Sequence, residues 1–547
     1  MMNICKRALS LLLVLAFFST SCISAMAAVY DAATAEQMQT AFGDSSGEDV
    51  NINLTADIDM SGKNLTAKEG ITYRISTQND STLNQASFDG AGTVHVETDI
   101  TGNASDALTT SGSVTVNVTG TLNAEGSGLS ADGSSTVTVT GNIVAGGDGV
   151  YAADDSTVTV NGDLTTADSG VDVEGHTNVT INGSITSKEN GVIARSKDNV
   201  TVTGNIDAAY NGVYGLFDSN VTVTGNVNAG MTGVYTKYDS TVTVTGDITA
   251  VDCGVDAEDD SMVHVNGNVS GGDGDPEKVD FAVPQDFSDG SDGVSARDYA
   301  TVTVSGNVTG GNAYGTCGEA GSAVSASDAS SITVGGDAIG GSVIANPDTT
   351  GGVSYGGNGV TMDNVATVSI GGNAIGGSTN GDQGIDGNGA CIRFYTYGYL
   401  AGSLTVGGAV QGAGDGSDLF LEGGYDEDDF EMVLIPSIQV GALETVDSKD
   451  ISPEDLEQIL SQLQVTGGEA TWDDFWTNVL ERIRIAQEGS QLTVDAGNYT
   501  RIPAYVLEAA AQRNVTLIIR WNGGDTITVD KAVELSADSM LLSELLK

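Results

Sequence analysis

Along most of the chain, apolar side chains alternate with threonine, asparagine or serine in short runs that return every 21 residues. Ser135-Thr-Val-Thr-Val-Thr-Gly-Asn-Ile143 comes back as Ser156-Thr-Val-Thr-Val-Asn-Gly-Asp-Leu164 and as Thr177-Asn-Val-Thr-Ile-Asn-Gly-Ser-Ile185. The unit restarts at Asp198, Ser219, Ser240 and Ser261 and, after insertions, at Ala300, Ser330, Ala366 and Gly402. Each unit holds two period-two segments, x-V-T-V-x and G-V-x-A, separated by Gly-Asn or Gly-Asp, and so predicts one coil of short strands. One coil cannot bury its own inner face. Stacking coils roughly 4.8 Å apart makes the inner faces a continuous core and pairs each strand with its copies above and below. The predicted fold is mainly β, a parallel solenoid. A 21-residue coil does not suit a left-handed hexapeptide helix, so the expectation is a right-handed parallel β-helix.

Alternation assigns the faces. Val137, Val158, Val179, Val200, Val221, Val242, Val263 and Val302 form one inward column, and Val139, Val160, Ile181, Val202, Val223, Val244, Val265 and Val304 a second. Ile143, Leu164, Ile185, Ile206, Val227, Ile248 and Val269 supply a third. Two glycine columns, one through Gly141 to Gly267 and one through Gly149 to Gly254, mark corners that need positive φ or close approach. Asn142, Asp163, Asn205, Asn226, Asp247 and Asn268 follow the first of them and predict a structural amide ladder.

The repeat sets the expected organisation. Residues 1–27, with Lys6 and Arg7, an apolar run from Ala8 to Phe18 and Ala25-Met26-Ala27, read as a secretory signal. Residues 28–90 read as an N-terminal cap, with a short helix over Thr34–Phe42 for which Thr34 is the N-cap, covering strand edges that would otherwise aggregate. The β-helix is expected over 91–424, an acidic linker holding Asp426-Glu-Asp-Asp429 over 425–450, and an α+β module over 451–547. The insertions near 271–292, 340–357 and 376–390 are expected as edge loops. No stretch after the signal approaches the roughly 18 apolar residues of a membrane span.

Charge narrows the partners. The 74 acidic residues face only 20 basic ones, a formal net charge of −54, and loss of the signal removes two more cations. Nucleic acid is excluded as a partner on this ground. Cys253, Cys317 and Cys391 remain after the signal, an odd set without C-x-x-C spacing that supports neither a disulfide framework nor a zinc site.

The string Ile502-Pro-Ala-Tyr-Val-Leu-Glu-Ala-Ala followed by Asn514-Val-Thr-Leu-Ile-Ile-Arg-Trp-Asn-Gly-Gly-Asp-Thr-Ile-Thr-Val529 resembles a module that recurs at the ends of secreted and cell-wall proteins of Gram-positive anaerobes. The regular repeat behind a signal resembles secreted, adhesin-like parallel β-helix proteins of bacteria. These resemblances imply an extracellular or cell-surface location and carry no catalytic residues.

Candidate chemistry lies on the outward positions. The column Thr138, Thr159, Thr180, Thr201, Thr222, Thr243, broken at His264, resembles the Thr-x-Thr face of β-helical ice-binding proteins, although threonine is also what an exposed strand prefers. On the second face, steps of 21 bring Tyr214 and Tyr235 into register, with Arg195, Lys197 and Lys237 on neighbouring positions and Tyr210 and Tyr238 near them. Tyrosines there would offer faces to sugar rings and the cations would pair with uronates; the plainer reading is that the cations relieve the column holding Asp218 and Asp239. Asp273, Asp275, Asp286, Asp289 and Asp292 are candidate calcium ligands, solvated loop charge being the plainer account. No other cofactor is expected. The three histidines sit in or beside strand columns, without H-E-x-x-H or G-x-S-x-G. The reading is therefore a non-catalytic adhesion or glycan-binding protein whose partners are polysaccharides or host or cell-surface glycans. A polysaccharide lyase or hydrolase on an acidic glycan, with Arg195, Lys197 or Lys237 beside Asp218 and Asp239, is the first alternative, and ice binding the second.

Overall fold

The computed structural model describes residues 27–279, 287–315, 317–344, 353–379, 384–394, 401–423, 436–451, 453–465, 476, 479–480, 483, 489–496, 501–521, 525–529 and 539–541. The expected signal, apart from Ala27, the Asp426–Asp429 run and Asp286 lie outside the described residues. The chain packs as two units, one of residues up to Thr166 with 177–179 and one of 167–176 with 180 onward.

The first unit is already coiled at its start. Ala28–Ala32 pairs in parallel with Val50–Leu54, which pairs with Thr72–Thr77, then Thr93–Glu97, Thr115–Thr119, Thr136–Thr140 and Thr157–Asn161. Val94, Val116, Val137 and Val158 stand in one register and are buried. The expected cap over 28–90 is thus a set of coils, and the 21-residue step misses them because their lengths vary. The helix Ala35–Phe42 belongs to the first of them. Thr34 Oγ1 accepts the Gln37 amide at 3.3 Å, and Gln37 Oε1 in turn accepts the Ala33 amide at 2.7 Å. Its buried face, Met38, Ala41 and Phe42, packs on the strands at 28–32, 50–54 and 65–67, with the Phe42 ring 4.2 Å from Tyr73.

Each coil has three strands where the alternation suggested two. Between the long strand and the G-V-x-A strand runs Ile-x-Ala, as in Ile143–Ala145, whose ladder joins Leu122, Ile143 and Leu164. Three residues after a glycine turn are too short to show a period, yet both apolar ends face inward.

Within the second unit the coils are built the same way. Val200, Val221, Val242, Val263 and Val302 are in register on the long strand, and Val192, Val213, Val234, Val255 and Val294 on the third, all buried. The ladders run past the expected end at 424: Ser437–Ala442 pairs with Ser403–Gln411, Leu463–Val465 pairs with Ser437–Ala442, and Val446–Lys449 pairs with Leu419–Gly423. The described part of the expected linker, 436–450, therefore carries coil strands, concealed by irregular spacing. The insertions are not plain loops either, since Phe287–Ser288, Ala313–Gly315 and Val343–Ile344 form a small ladder of their own. Toward the C-terminus, Gln491–Asp495, Thr516–Trp521 and Asp525–Val529 make a three-stranded sheet beside the helix Ala504–Arg513, with Leu492, Val506, Leu517 and Ile519 in one core cluster.

Corner chemistry sets the coil shape. At Gly225 a β-carbon would stand 2.5 Å from the Gly204 carbonyl oxygen, and at Gly212 it would stand 2.2 Å from Val227 Cγ1, so close approach excludes a side chain at both. The amide ladder forms. Asn205 Oδ1 accepts the Asn226 amide at 3.0 Å, Asn226 Oδ1 accepts the Asp247 amide at 2.9 Å, and Asp247 Oδ1 accepts the Asn268 amide at 2.7 Å.

Candidate functional site

The third strand of each coil in the second unit presents a polar outward column, and register decides who meets whom. Tyr214 lies opposite Tyr235 and opposite Ile193, while Arg195 lies between Glu174 and Leu216, and Lys237 beside Leu216. The two tyrosine rings are stacked, 5.1 Å between centroids and 13° between planes. Rings stacked along the ladder cover each other's faces, so this pair presents edges and hydroxyls outward rather than the open faces expected for a sugar. Tyr235 donates its hydroxyl to Glu258 Oε1 at 3.1 Å, and burial together with the Glu258 charge pushes its pKa up to about 12.

Two of the three expected cations, Arg195 and Lys237, are held by carboxylates, though not those expected. Arg195 pairs with Asp172. Lys237 pairs with Glu258 at 2.7 Å and Asp259 at 3.3 Å, and the hydrogen bond to Glu258 holds its pKa above the ordinary lysine value. Asp218 and Asp239 are not the partners. Arg195 meets Asp172 and Lys237 meets Glu258 on the strand face, Lys237 also reaching Asp259 at the corner, whereas Asp218 and Asp239 stand at that corner on other coils. Arg297 closes the group by pairing with Glu258 and, at 3.3 Å, with Asp256. Burial raises the Glu258 pKa, but its hydrogen bonds to Lys237 and Arg297 outweigh that and leave it below the usual value. Asp256 and Asp172 move the other way, raised by burial that their arginines only partly offset. Glu258 follows Lys237 by 21 residues, but Arg297 escaped the count because an insertion lies between it and Glu258; counting from Val294, which pairs with Val255, restores the register.

At the next corner the backbone is left-handed for two successive residues in each coil: Ser196 and Lys197, Phe217 and Asp218, Tyr238 and Asp239, Asp259 and Asp260, Asp298 and Tyr299, Asp328 and Ala329. Aspartate, serine and glycine tolerate this conformation, while a bulky residue there is a true outlier. Phe217 at φ 53°, Tyr238 at φ 57° and Tyr299 at φ 64° are such outliers, and the rings of the first two stack at 4.7 Å and 9°. They are 49% and 41% exposed, and Lys237 Nζ lies 5.0 Å from the Tyr238 ring centre. Lys197 is exposed on the same corner, its amide donating to the Phe217 carbonyl at 2.8 Å. Tyr210 is not part of this patch. It sits at the corner between the second and third strands, where its carbonyl accepts the Met231 amide.

The acidic calcium candidates disperse. Asp273 Oδ1 accepts the Asn312 amide at 2.7 Å, Asp289 the Glu319 amide at 2.8 Å and Asp292 the Ser322 amide at 2.7 Å, each a corner bond to the next coil. Asp275 caps the short turn Pro276–Lys278 by accepting the Glu277 amide at 2.9 Å. Among the described residues no three His, Cys, Asp or Glu side chains converge as a metal site. Cys253, Cys317 and Cys391 are free thiols. The threonine column keeps its register through Thr222 and Thr243, then meets His264, while Met262 stands 39% exposed beside it.

Comparison with known proteins agrees with the coil geometry: residues 127–270 match a family described as right handed beta helix region. The solenoid is a right-handed parallel β-helix. No curated protein and no solved structure matches the chain. Among the described residues no helix is long and apolar enough to cross a membrane.

Proposed function

We propose that this β-helix is a secreted or cell-surface, non-catalytic adhesion protein that binds polysaccharides or cell-surface glycans through its third-strand face and the adjoining left-handed corner. The observation that carries the reading is the exposed Phe217–Tyr238 stack on outlier backbone. Equivalent corner positions hold Gly175, Ser196, Asp259, Asp298 and Asp328, which suit that backbone, and two adjacent coils instead hold rings. Backbone strain retained in exposed residues points to a role outside the fold. Repetition along the coils then lets several weak contacts act together. A lyase needs an unprotonated base, and Lys237 is held protonated by its bond to Glu258 while Arg195 and Arg297 are ion-paired, which weighs against the enzymatic alternative.

A glycan array probed with the chain from residue 28 onward, with calcium and with a chelator, tests this. The expected result is binding to a defined subset of glycans, unchanged by the chelator, since Asp273, Asp275, Asp289 and Asp292 already accept backbone amides. Release of unsaturated or reducing ends from a bound polymer, or no retention of any glycan, would overturn it.

A further inference from the structure

We infer that the ligand class of this corner is a polysaccharide of amino sugars with free ammonium groups, not a uronate or sulfated polymer. The inference rests on the glycan-binding reading of the same site. Its first support is the order of side chains: each exposed ring is followed, within the same left-handed turn, by an exposed carboxylate, Asp218 after Phe217 and Asp239 after Tyr238. Rings and carboxylates therefore stand side by side on adjacent coils, and Asp259, Asp260 and Asp298 continue the acidic row. Its second support is the state of the cations that would receive an acidic sugar. Arg195 is taken by Asp172, Lys237 by Glu258 and Asp259, and Arg297 by Asp256 and Glu258, which leaves Lys197, exposed one coil from Asp218, as the cation of this corner outside those pairs.

A glucosamine ring fits this arrangement on both counts. Its C–H groups pack against the exposed edges of the Phe217–Tyr238 stack, and its ammonium forms a charge-assisted hydrogen bond with Asp218 or Asp239. A uronate in the same pose would bring like charge against the same carboxylates. The chain's −54 net charge adds attraction of the same sign at longer range. That diffuse term is screened over about 8 Å at physiological salt, so local recognition can be separated from it.

The test is isothermal titration of the full chain at physiological salt with three hexamers: glucosamine, N-acetylglucosamine and galacturonate. Two double variants accompany it. Phe217→Asn/Tyr238→Asn removes the rings while placing a residue that accepts left-handed backbone, and circular dichroism with a thermal melt confirms that the fold is kept. Asp218→Asn/Asp239→Asn removes only the two carboxylates. The expected result is that the glucosamine hexamer binds roughly two- to fivefold tighter than its acetylated counterpart. Loss of the carboxylates should erase that preference without weakening the acetylated hexamer, and loss of the rings should weaken both. Equal affinities for the two hexamers, or tightest binding of galacturonate, with loss on ring removal, would overturn the amino-sugar inference and leave the glycan reading standing. No binding of any hexamer, or indifference to ring removal, would overturn both. A lysine hexamer that displaces glucosamine hexamer at equal concentration would reassign the corner to basic peptides and also overturn the inference.

Discussion

Left-handed backbone costs most residues other than glycine, asparagine and aspartate roughly 1–2 kcal/mol, and Phe217 and Tyr238 bear that cost on neighbouring coils. Their stack returns about 0.5–1.5 kcal/mol. Phe217→Asn/Tyr238→Asn should therefore leave the unfolding free energy unchanged or raise it, by up to about 3 kcal/mol, in urea titration; a loss of about 3 kcal/mol would make the pair structural. Gly225 behaves oppositely. A β-carbon there meets the Gly204 carbonyl at 2.5 Å, so Gly225→Ala should cost about 2–3 kcal/mol by the same measurement. The buried carboxylates set the pH response. Asp292, pushed up to about 6 by burial, and Asp172 and Asp256, raised for the same cause, bind protons more readily folded than unfolded. Stability should accordingly rise as pH falls from about 7 toward about 5. Glu258 is lowered, and its contribution, present above its unfolded value, is lost only as pH falls through its folded value. A urea midpoint that declines steadily from pH 7 downward would contradict this order. Asp292→Asn should stabilise the protein at pH 7 by at most about 3 kcal/mol, because the amide oxygen still accepts the Ser322 amide and no charge is buried.

The unit of construction is the coil, and its two devices are the apolar columns and the corner ladder. The columns were legible because alternation and a constant step both point to them: Val137, Val139 and Ile143 and their copies are buried as expected. So was the ladder through Asn226, whose side chain accepts the next coil's amide. Asn226→Ala should cost about 1 kcal/mol in urea titration, the net worth of one such bond, while Thr222→Ala on the outward column should cost no more than about 0.5 kcal/mol. The middle strand was not legible, since Ile-x-Ala is too short to carry a period. Nor were the diagonal ion pairs, Arg195 with Asp172 and Lys237 with Asp259, because sequence alone orders columns without fixing diagonals. The corner bonds of the acidic candidates were not legible for a related reason: composition registers Asp273 and Asp292 as charge, whereas each gives an oxygen to a backbone amide one coil away.

In a solenoid each coil touches only its neighbours, so irregular coils can be added without disturbing the rest. That property explains how strands at 28–32 and 463–465 share ladders with coils of different length. It also leaves the outward positions free to vary, and the departures from the repeat are where function is sought. Tyr214, Tyr235, Phe217 and Tyr238 are such departures, two stacked pairs in an otherwise acidic and threonine-rich surface. The central claim is that this face and its corner contact the glycan. The most direct measurement compares binding to a glycan retained on the array by the parent chain, by Tyr214→Ala/Tyr235→Ala with Phe217→Asn/Tyr238→Asn, and by a Thr159→Ala/Thr180→Ala control on the long-strand face. Loss of tenfold or more in the aromatic variant with an unchanged control is the expected result. Loss confined to the threonine control, or equal binding by all three, would contradict it.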